Sequence, residues 1–401
     1  MDLGVLIGIV GKPSSGKTTF LNALCNTSAK TADYPFTTIQ PNQGVGFVTT
    51  PCVCQEYDIT CEPRNSECVD NVRKIPIKII DVAGLVPGAY EGKGMGNQFL
   101  SDLAQADILI HVLDVSGSLN EEGEQVKTGS YDPEQDIAFL ENEIAHWMNG
   151  ILKKDWTKAV RKAKTESTNI IDFIANKLTG IKISKPIIQK SISNLKLDAS
   201  KVDEWSDEQI LNLCKEVRLL GKPIIIAANK IDRPTSTMNF NKLKEKYGEM
   251  IIPTSALTDN VLRKFSEQNK IEYISASGSL SIIGEVSSKE EEIIKKIKTE
   301  ILEKYETTGV FQTLNQAVFN ILELIPVYPV ADASKLSDQD GKVLPDTYLV
   351  NKGTTVKELA GIIHQDLYKN FIYGIDVRTN RKLSDKHELS SGDIIKIVAA
   401  V

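Results

Sequence analysis

Lys17 and Thr18 follow Gly16 in the run VLIGIVGKPSSGKTTFLNAL, and GKPSSGKT within it has the spacing G-x-x-x-x-G-K-[ST]. That spacing binds phosphate. Gly11 and Gly16 let the backbone bend, so that the nucleotide-binding loop (Gly11, Pro13, Ser14, Ser15, Gly16, Lys17, Thr18, Thr19) can turn its N–H groups and the following helix N-terminus towards one anion. Pro13 itself contributes shape but no N–H. Lys17 adds positive charge, and the Thr18 hydroxyl is a Mg²⁺ ligand. The loop alone leaves the base undetermined.

Further along, KPIIIAANKID delivers Asn229, Lys230 and Asp232 to the end of an apolar strand, where α/β sheets bind ligands. The Asp232 carboxylate can accept from N1–H and the exocyclic amine of guanine, a donor pair that adenine lacks. Lys230 can lie over the ring and Asn229 can tie loops together. N-K-x-D also opens ordinary helices, so its weight comes from its place behind a phosphate loop. Between the two, IPIKIIDVAG ends in Asp81 and Gly84, a carboxylate for a Mg²⁺-bound water and an N–H for a γ-phosphate. The triplet TSA places Ser255 and the backbone of Ala256 where they can back up guanine recognition.

These residues need a parallel sheet to carry them. The run 5–10 reads as a buried strand and TTFLNALC as a helix with Phe20, Leu21 and Leu24 on one face. The fold class expected is α/β: a P-loop GTPase domain with a helical insertion and a C-terminal β-grasp-like domain, so described because its strand–turn–helix–strand order resembles the β-grasp type. The stretch from Asp81 to Asn229 is too long for a minimal nucleotide domain. Ile137, Leu140, Ile144, Trp147 and Ile151 recur there at alternating three and four spacing, as in a helical hairpin or short coiled coil. The expected divisions are 1–132, a helical insertion at 133–218, a return to the GTPase domain with connecting helices at 219–324, and a C-terminal domain at 325–401. The basic run KKDWTKAVRKAK could meet RNA or an acidic surface, though such runs are more often solvated faces. In SKEEEIIKKIKTEILEKY, Ile293, Ile297 and Ile301 predict one buried helix face. In the last division IPVYPVADAS shows two prolines bounding a strand, and a helix opens at Thr354 or Thr355.

Composition narrows the class further. With 401 residues and 41% hydrophobic content the chain can build several cores. No run approaches the roughly 18 apolar residues of a membrane helix, and no basic-then-apolar leader opens it. A cytoplasmic monomer is the expectation. A net charge of −6 argues against a basic protein that coats nucleic acid, so any RNA contact needs a local patch.

The segments DYPFTTIQPNQG (33–44) and DVAGLVPGAYEGKGMGNQFL (81–100) resemble, almost position for position, the switch segments of the Obg-like GTPases, and specifically the archaeal YchF-related branch with a C-terminal TGS domain. The resemblance spans nearly the whole chain. It implies that Thr38 is the switch I threonine closing on Mg²⁺ and the γ-phosphate, that Gly84 is the switch II glycine, and that Lys17, Thr38 and Gly84 carry catalysis. Mg²⁺ would then be held by Thr18, Thr38 and Asp81. Bacterial and eukaryotic YchF relatives end the base motif in Glu and can take ATP; this chain keeps Asp232, which points to GTP. Ser14 stands where those relatives have the Asn associated with K⁺ acceleration. Leu85 follows Gly84 where Ras-type enzymes place a water-orienting Gln, so the group holding the water must come from elsewhere. TGS domains accompany proteins that act on tRNA or ribosomes. The function implied is slow Mg²⁺-dependent GTP hydrolysis to GDP and phosphate, as a switch on a ribosome or other translation-related RNA–protein partner. The competing reading is a nucleotide-gated scaffold whose turnover is incidental. A P-loop kinase is disfavoured by the guanine motif and the switch threonine.

Two features remain. Cys52, Cys54, Cys61 and Cys68 cluster in PCVCQEYDITCEPRNSEC and could form a tetrahedral Zn²⁺ site; reduced free thiols and, in a reducing compartment, rarer disulfides are the alternatives. Cys25 and Cys214 read as packing. His111, inside the apolar strand ADILIHVLDVSG, reads more readily as a structural residue than as a base.

Overall fold

The structure, a computed structural model, describes residues 5–25, 42–82, 96–165 and 169–400. Thr38, Gly84 and Leu85 lie outside the described residues.

In chain order the elements begin β1 (Leu6–Val10), α1 (Lys17–Leu24), β2 (Gln43–Pro51), β3 (Glu67–Val69), β4 (Val72–Asp81), α2 (Gly96–Gln105) and β5 (Ile108–Asp114). Helices follow: α3 (Glu134–Lys153), α4 (Trp156–Thr165), α5 (Ile170–Leu178), α6 (Lys185–Asn194) and α7 (Asp207–Gly221). Next come β6 (Ile224–Asn229), α8 (Ser236–Tyr247), β7 (Ile251–Pro253), α9 (Ala256–Glu267), β8 (Ile271–Ile274), β9 (Ser279–Ile282), α10 (Ser288–Ile297), α11 (Glu303–Tyr305) and α12 (Val310–Asn315). The chain closes with β10 (Leu324–Val330), β11 (Tyr348–Asn351), α13 (Val356–Ile363), α14 (Gln365–Lys369), β12 (Phe371–Asp376), β13 (Arg381–Leu383) and β14 (Ile394–Ala399).

Two compact units result, one from 6–23 with the described parts of 79–313 and the other from Val5, the described parts of 24–78 and 314–400. In the first, β1, β5, β6 and β7 lie parallel in that order. The end of β4 joins beside β1, where Val82 N–H donates to the Ile9 carbonyl at 3.0 Å. Every residue of β5 and β6 is buried, which is why both read as mainly apolar runs, His111 and the terminal Asp114 and Asn229 apart, rather than alternating ones. The register Val10↔His111 and Asp114↔Asn229 brings the ends of the strands to one edge of the sheet.

The helical insertion differs from a two-helix coiled coil. Ile137, Leu140 and Ile144 are buried as their spacing predicts, but Trp147 and Ile151 are only half-buried, and α3 packs on α7 through Leu213, Cys214 and Val217. Local signals break the rest into short helices. Lys182 adopts a left-handed conformation (φ 60°), a proline opens α6, and a reciprocal Ser206–Gln209 capping box opens α7. Trp156 of the basic run packs against Phe173 and Trp205, each with ring centroids 6.1 Å away. Ile293 is also placed differently from its expected face: it is 44% exposed, while Ile294, Ile297 and Ile301 are buried. The helix continues beyond Ile297 as a π-helical turn at Lys298–Leu302, where Ile301 and Leu302 stay buried.

In the second unit β2 neighbours β4, which pairs antiparallel with β3, and a five-stranded sheet runs β11-β10-β14-β12-β13. Both prolines fall inside β10 rather than bounding it. Pro326 lies in the half paired with β11, yet its carbonyl accepts from Gly392 N–H at 2.7 Å on the opposite side, so its missing N–H costs no bond to β11. Thr355, not Thr354, caps α13, in a capping box with Glu358.

Candidate functional site

The first unit gathers the phosphate loop at the sheet edge. Ser14 (φ 62°) and Gly16 (φ 95°) both turn left-handed, and Phe20 N–H already donates to the Gly16 carbonyl at 2.9 Å. A Cβ on Gly16 would lie 2.3 Å from Asn229 Nδ2, and one on Gly11 would lie 2.7 Å from the Val112 carbonyl. Both glycines are therefore demanded by close approach, and Gly16 by its left-handed turn as well. Lys17 Nζ pairs with Asp81 Oδ1 at 2.5 Å and donates to the Val82 carbonyl at 2.8 Å. Thr18 is exposed in the first turn of α1, and Asp81 keeps 42% of its side chain exposed at the end of β4. A hydroxyl and a carboxylate are the hard oxygen donors that suit Mg²⁺, so the donor set fits that ion.

The other end of the cleft is built around Asn229. Its Nδ2 donates to the Ser15 carbonyl at 2.9 Å, and its Oδ1 accepts from Ala256 N–H at 3.1 Å. One buried amide thus clamps the phosphate loop to the 254–256 turn. Ser255 Oγ donates to Asp232 Oδ1 at 2.7 Å, fixing that carboxylate at the mouth. Lys230 stands at φ 64°, and its Nζ pairs with Asp114 Oδ2 at 3.0 Å, which holds the side chain across the cleft. Burial pushes the Asp114 carboxyl up, but the hydroxyls of Ser116 and Ser118 and the Lys230 ammonium outweigh it and hold the group below its ordinary value. The cleft holds about 210 Å³, with Ser14, Gly16 and Thr19 at one end and Asn229, Lys230 and Asp232 at the other; Leu119 and Leu257 add apolar walls.

The structure places Gly11, Ser14, Ser15, Gly16, Lys17, Thr18, Thr19, Asp81, Asn229, Lys230, Asp232, Ser255 and Ala256 in one unit; Ser14, Gly16, Thr19, Asn229, Lys230 and Asp232 line the cleft, and Ser15, Ser255 and Ala256 are hydrogen-bonded to Asn229 or Asp232. Pro13 is exposed, and its carbonyl sits where a Cβ on Gly123 would come within 2.7 Å. Sequence reasoning missed Asp114 and Lys12. Asp114 had a signal: like Asn229, it ends an apolar strand of the parallel sheet. Lys12 is buried, pairs with Asp136 at 2.7 Å and donates to the carbonyls of Leu119 (3.1 Å) and Asn120 (2.9 Å), so it holds the Leu119 loop that walls the cleft. His111 is 1% exposed with no partner for Nδ1 among the described residues. Burial, helped by the Lys12 charge, pushes its pKa down to about 3, so it is a neutral core residue. In the second unit Cys52, Cys54, Cys61 and Cys68 bring their thiols within 4.8 Å of one another.

Three family models match the chain: "50S ribosome-binding GTPase" over residues 6–143, "Obg-like GTPase YGR210-like, G4 motif-containing domain" over 227–332, and "TGS domain" over 337–399. The chain is 44% identical over 396 residues to an uncharacterised GTP-binding protein of Methanocaldococcus jannaschii, covering 98% of this chain and 99% of the relative. An uncharacterised GTP-binding protein of Schizosaccharomyces pombe is 35% identical over 375 residues, covering 90% of this chain and 91% of the relative. The crystal structure of a GTP binding protein from Pyrococcus horikoshii OT3 is 34% identical, with 99% of this chain and 100% of that one covered and a TM-score of 0.78.

Proposed function

The chain belongs to the Obg-like GTPases, in the YchF-related branch with a C-terminal TGS domain, and from that premise we propose that it is a slow, Mg²⁺-dependent GTP-hydrolysing switch acting on a ribosome or translation-related RNA–protein partner. The observation that carries the reading is the Asn229 clamp. It couples the loop that would cradle phosphate to the turn that would read the base, with Asp232 held at the same mouth by Ser255.

Each residue then has a task. Asp232 accepts from N1–H and the exocyclic amine of guanine, while the stem of Lys230, anchored by Asp114, supports the ring. The phosphate-loop N–H groups and Lys17 neutralise the phosphates. Thr18, Asp81 and, by family resemblance, Thr38 would hold Mg²⁺, which when bound adds charge stabilisation at the phosphates. Gly84 would present its N–H to the γ-phosphate. Leu85 offers no hydrogen bond to an attacking water, which is why slow intrinsic turnover is the expectation. On this reading residues 133–218 are an insertion in the nucleotide domain and the division at 325–401 is appended to it, and these two supply the partner surfaces.

The test is multiple-turnover phosphate release by the purified chain with and without ribosomes. Slow release alone and an increase of about tenfold or more with ribosomes is the expected result. Rapid release alone, or none added by ribosomes, removes the partner-dependent switch.

A further inference from the structure

The four clustered cysteines lie in a part of the chain that the nucleotide chemistry does not use. They come from a 3₁₀ turn after β2, the loop beyond it and β3, yet their Sγ atoms all fall within 4.8 Å of one another. The distances Cys52 Sγ to Cys61 Sγ and Cys54 Sγ to Cys68 Sγ are 4.0 and 3.8 Å. A tetrahedral zinc tetrathiolate with Zn–S bonds of about 2.3 Å has sulfurs about 3.8 Å apart. A multi-iron cluster, whose ligands sit on separate iron atoms, spreads its thiolates wider. A disulfide needs sulfurs about 2.0 Å apart, and none of these four cysteines forms one.

The surroundings carry charge of the matching sign. Arg73, opposite Cys68 in the β3–β4 register, has no exposure. Its guanidinium donates to the Ser66 hydroxyl at 3.0 Å and the Leu344 carbonyl at 3.1 Å, both neutral, and its Nε has no partner among the described residues. A buried cation with neutral partners is costly unless negative charge lies nearby. Zn²⁺ bound by four thiolates, with their protons released to solvent, leaves a site of charge −2 beside it.

We propose that Cys52, Cys54, Cys61 and Cys68 bind one zinc ion as a closed structural tetrathiolate, with Arg73 as its counter-charge, and that this ion fastens the 52–69 segment to the TGS domain. The fastened contacts are visible. Glu62 and Arg64 N–H donate to the Val343 and Pro345 carbonyls at 2.8 and 2.7 Å, and Asn65 exchanges two hydrogen bonds with the Thr347 backbone at 3.0 and 2.9 Å. Arg378 pairs with Glu56 through two bonds of 2.7 and 2.8 Å. Val53 and Cys54 pack in the same buried cluster as Tyr328, Leu344 and Ile394.

The test uses the full chain, reduced, loaded with Zn²⁺ and desalted through a weak chelator. Elemental analysis should find about one zinc per chain, and Co²⁺ in its place should give the visible absorption of a tetrahedral tetrathiolate. Cys54→Ser and Cys68→Ser should each retain at least about tenfold less metal, while Cys214→Ser should retain it in full. Should the serine variants fail to fold, the cobalt spectrum of the unaltered chain decides by itself. The proposal is overturned by metal-free protein with four titratable thiols, by a disulfide at these positions, by an octahedral cobalt spectrum, or by serine variants that fold and keep their zinc.

Discussion

Asp232 shows how much of the site rests on single groups. Its carboxylate offers lone pairs to two guanine donors and takes one hydrogen bond from Ser255, so its orientation is set before any base arrives. Asp232→Asn replaces one acceptor with a donor that faces the exocyclic amine. GTP affinity should fall by about 1–3 kcal/mol in titration calorimetry, and a purine nucleotide with a carbonyl at C2, which accepts from the new amide, should regain part of it. Equal affinity for GTP in the variant would remove Asp232 from base recognition. Asn229 differs because both ends of its amide are spent within the protein, which makes it a positioning residue.

At the scale of the element, α2 ends against a buried lysine. Lys222 Nζ donates to the carbonyls of Leu103 (3.4 Å), Ala104 (3.0 Å) and Ala106, capping carbonyls that a helix C-terminus leaves unmet. Burial pushes its pKa down to about 8, so part of what the cap contributes is offset by desolvation. Lys222→Met should destabilise the first unit by about 2 kcal/mol in urea unfolding, less than the sum for the stranded carbonyls. An unchanged midpoint would show that water or a local shift satisfies them. The helix that begins at Ser288 illustrates a mixed case: periodicity foretold the burial of Ile297 and Ile301, but Ile294 rather than Ile293 shares their face, a choice made by what the helix packs against.

At the scale of the molecule, His111 links the central sheet to pH. Its pKa falls from 6.5 unfolded to about 3 folded, through burial first and then the Lys12 charge. A group depressed on folding contributes stability above its unfolded value and loses it as pH falls towards the folded one. The unfolding free energy of the first unit should therefore drop below pH 6.5, by up to about 1.4 kcal/mol per pH unit, before most carboxylates titrate. His111→Leu should flatten that slope between pH 6.5 and 5 in urea titrations. An equally steep variant would assign the loss to other groups. No helix among the described residues is long and apolar enough to cross a membrane, which agrees with the hydropathy of the chain.

The sequence by itself carried the phosphate-loop motif, the base motif and their order along the chain, because each depends on residues a few positions apart whose spacing is the chemistry, while the C-terminal division was legible through its resemblance to a TGS domain. A helix start at Thr354 or Thr355 and the apolar character of β5 and β6 were legible from such local spacing too, with the choice of Thr355 left to the structure. Only the tertiary structure decided the rest. Asn229 meets Ser15 across 214 residues, Lys230 meets Asp114 across 116, and Arg73 reaches Leu344 across 271. Such pairs leave no periodic trace in either partner, since the parallel sheet and the joining of the described parts of 24–78 with 314–400 in one unit create the proximity. The four cysteines fall between these cases: their number was plain in the sequence, but C-x-C spacing could not say whether the thiols converge, and convergence is a property of the folded turn.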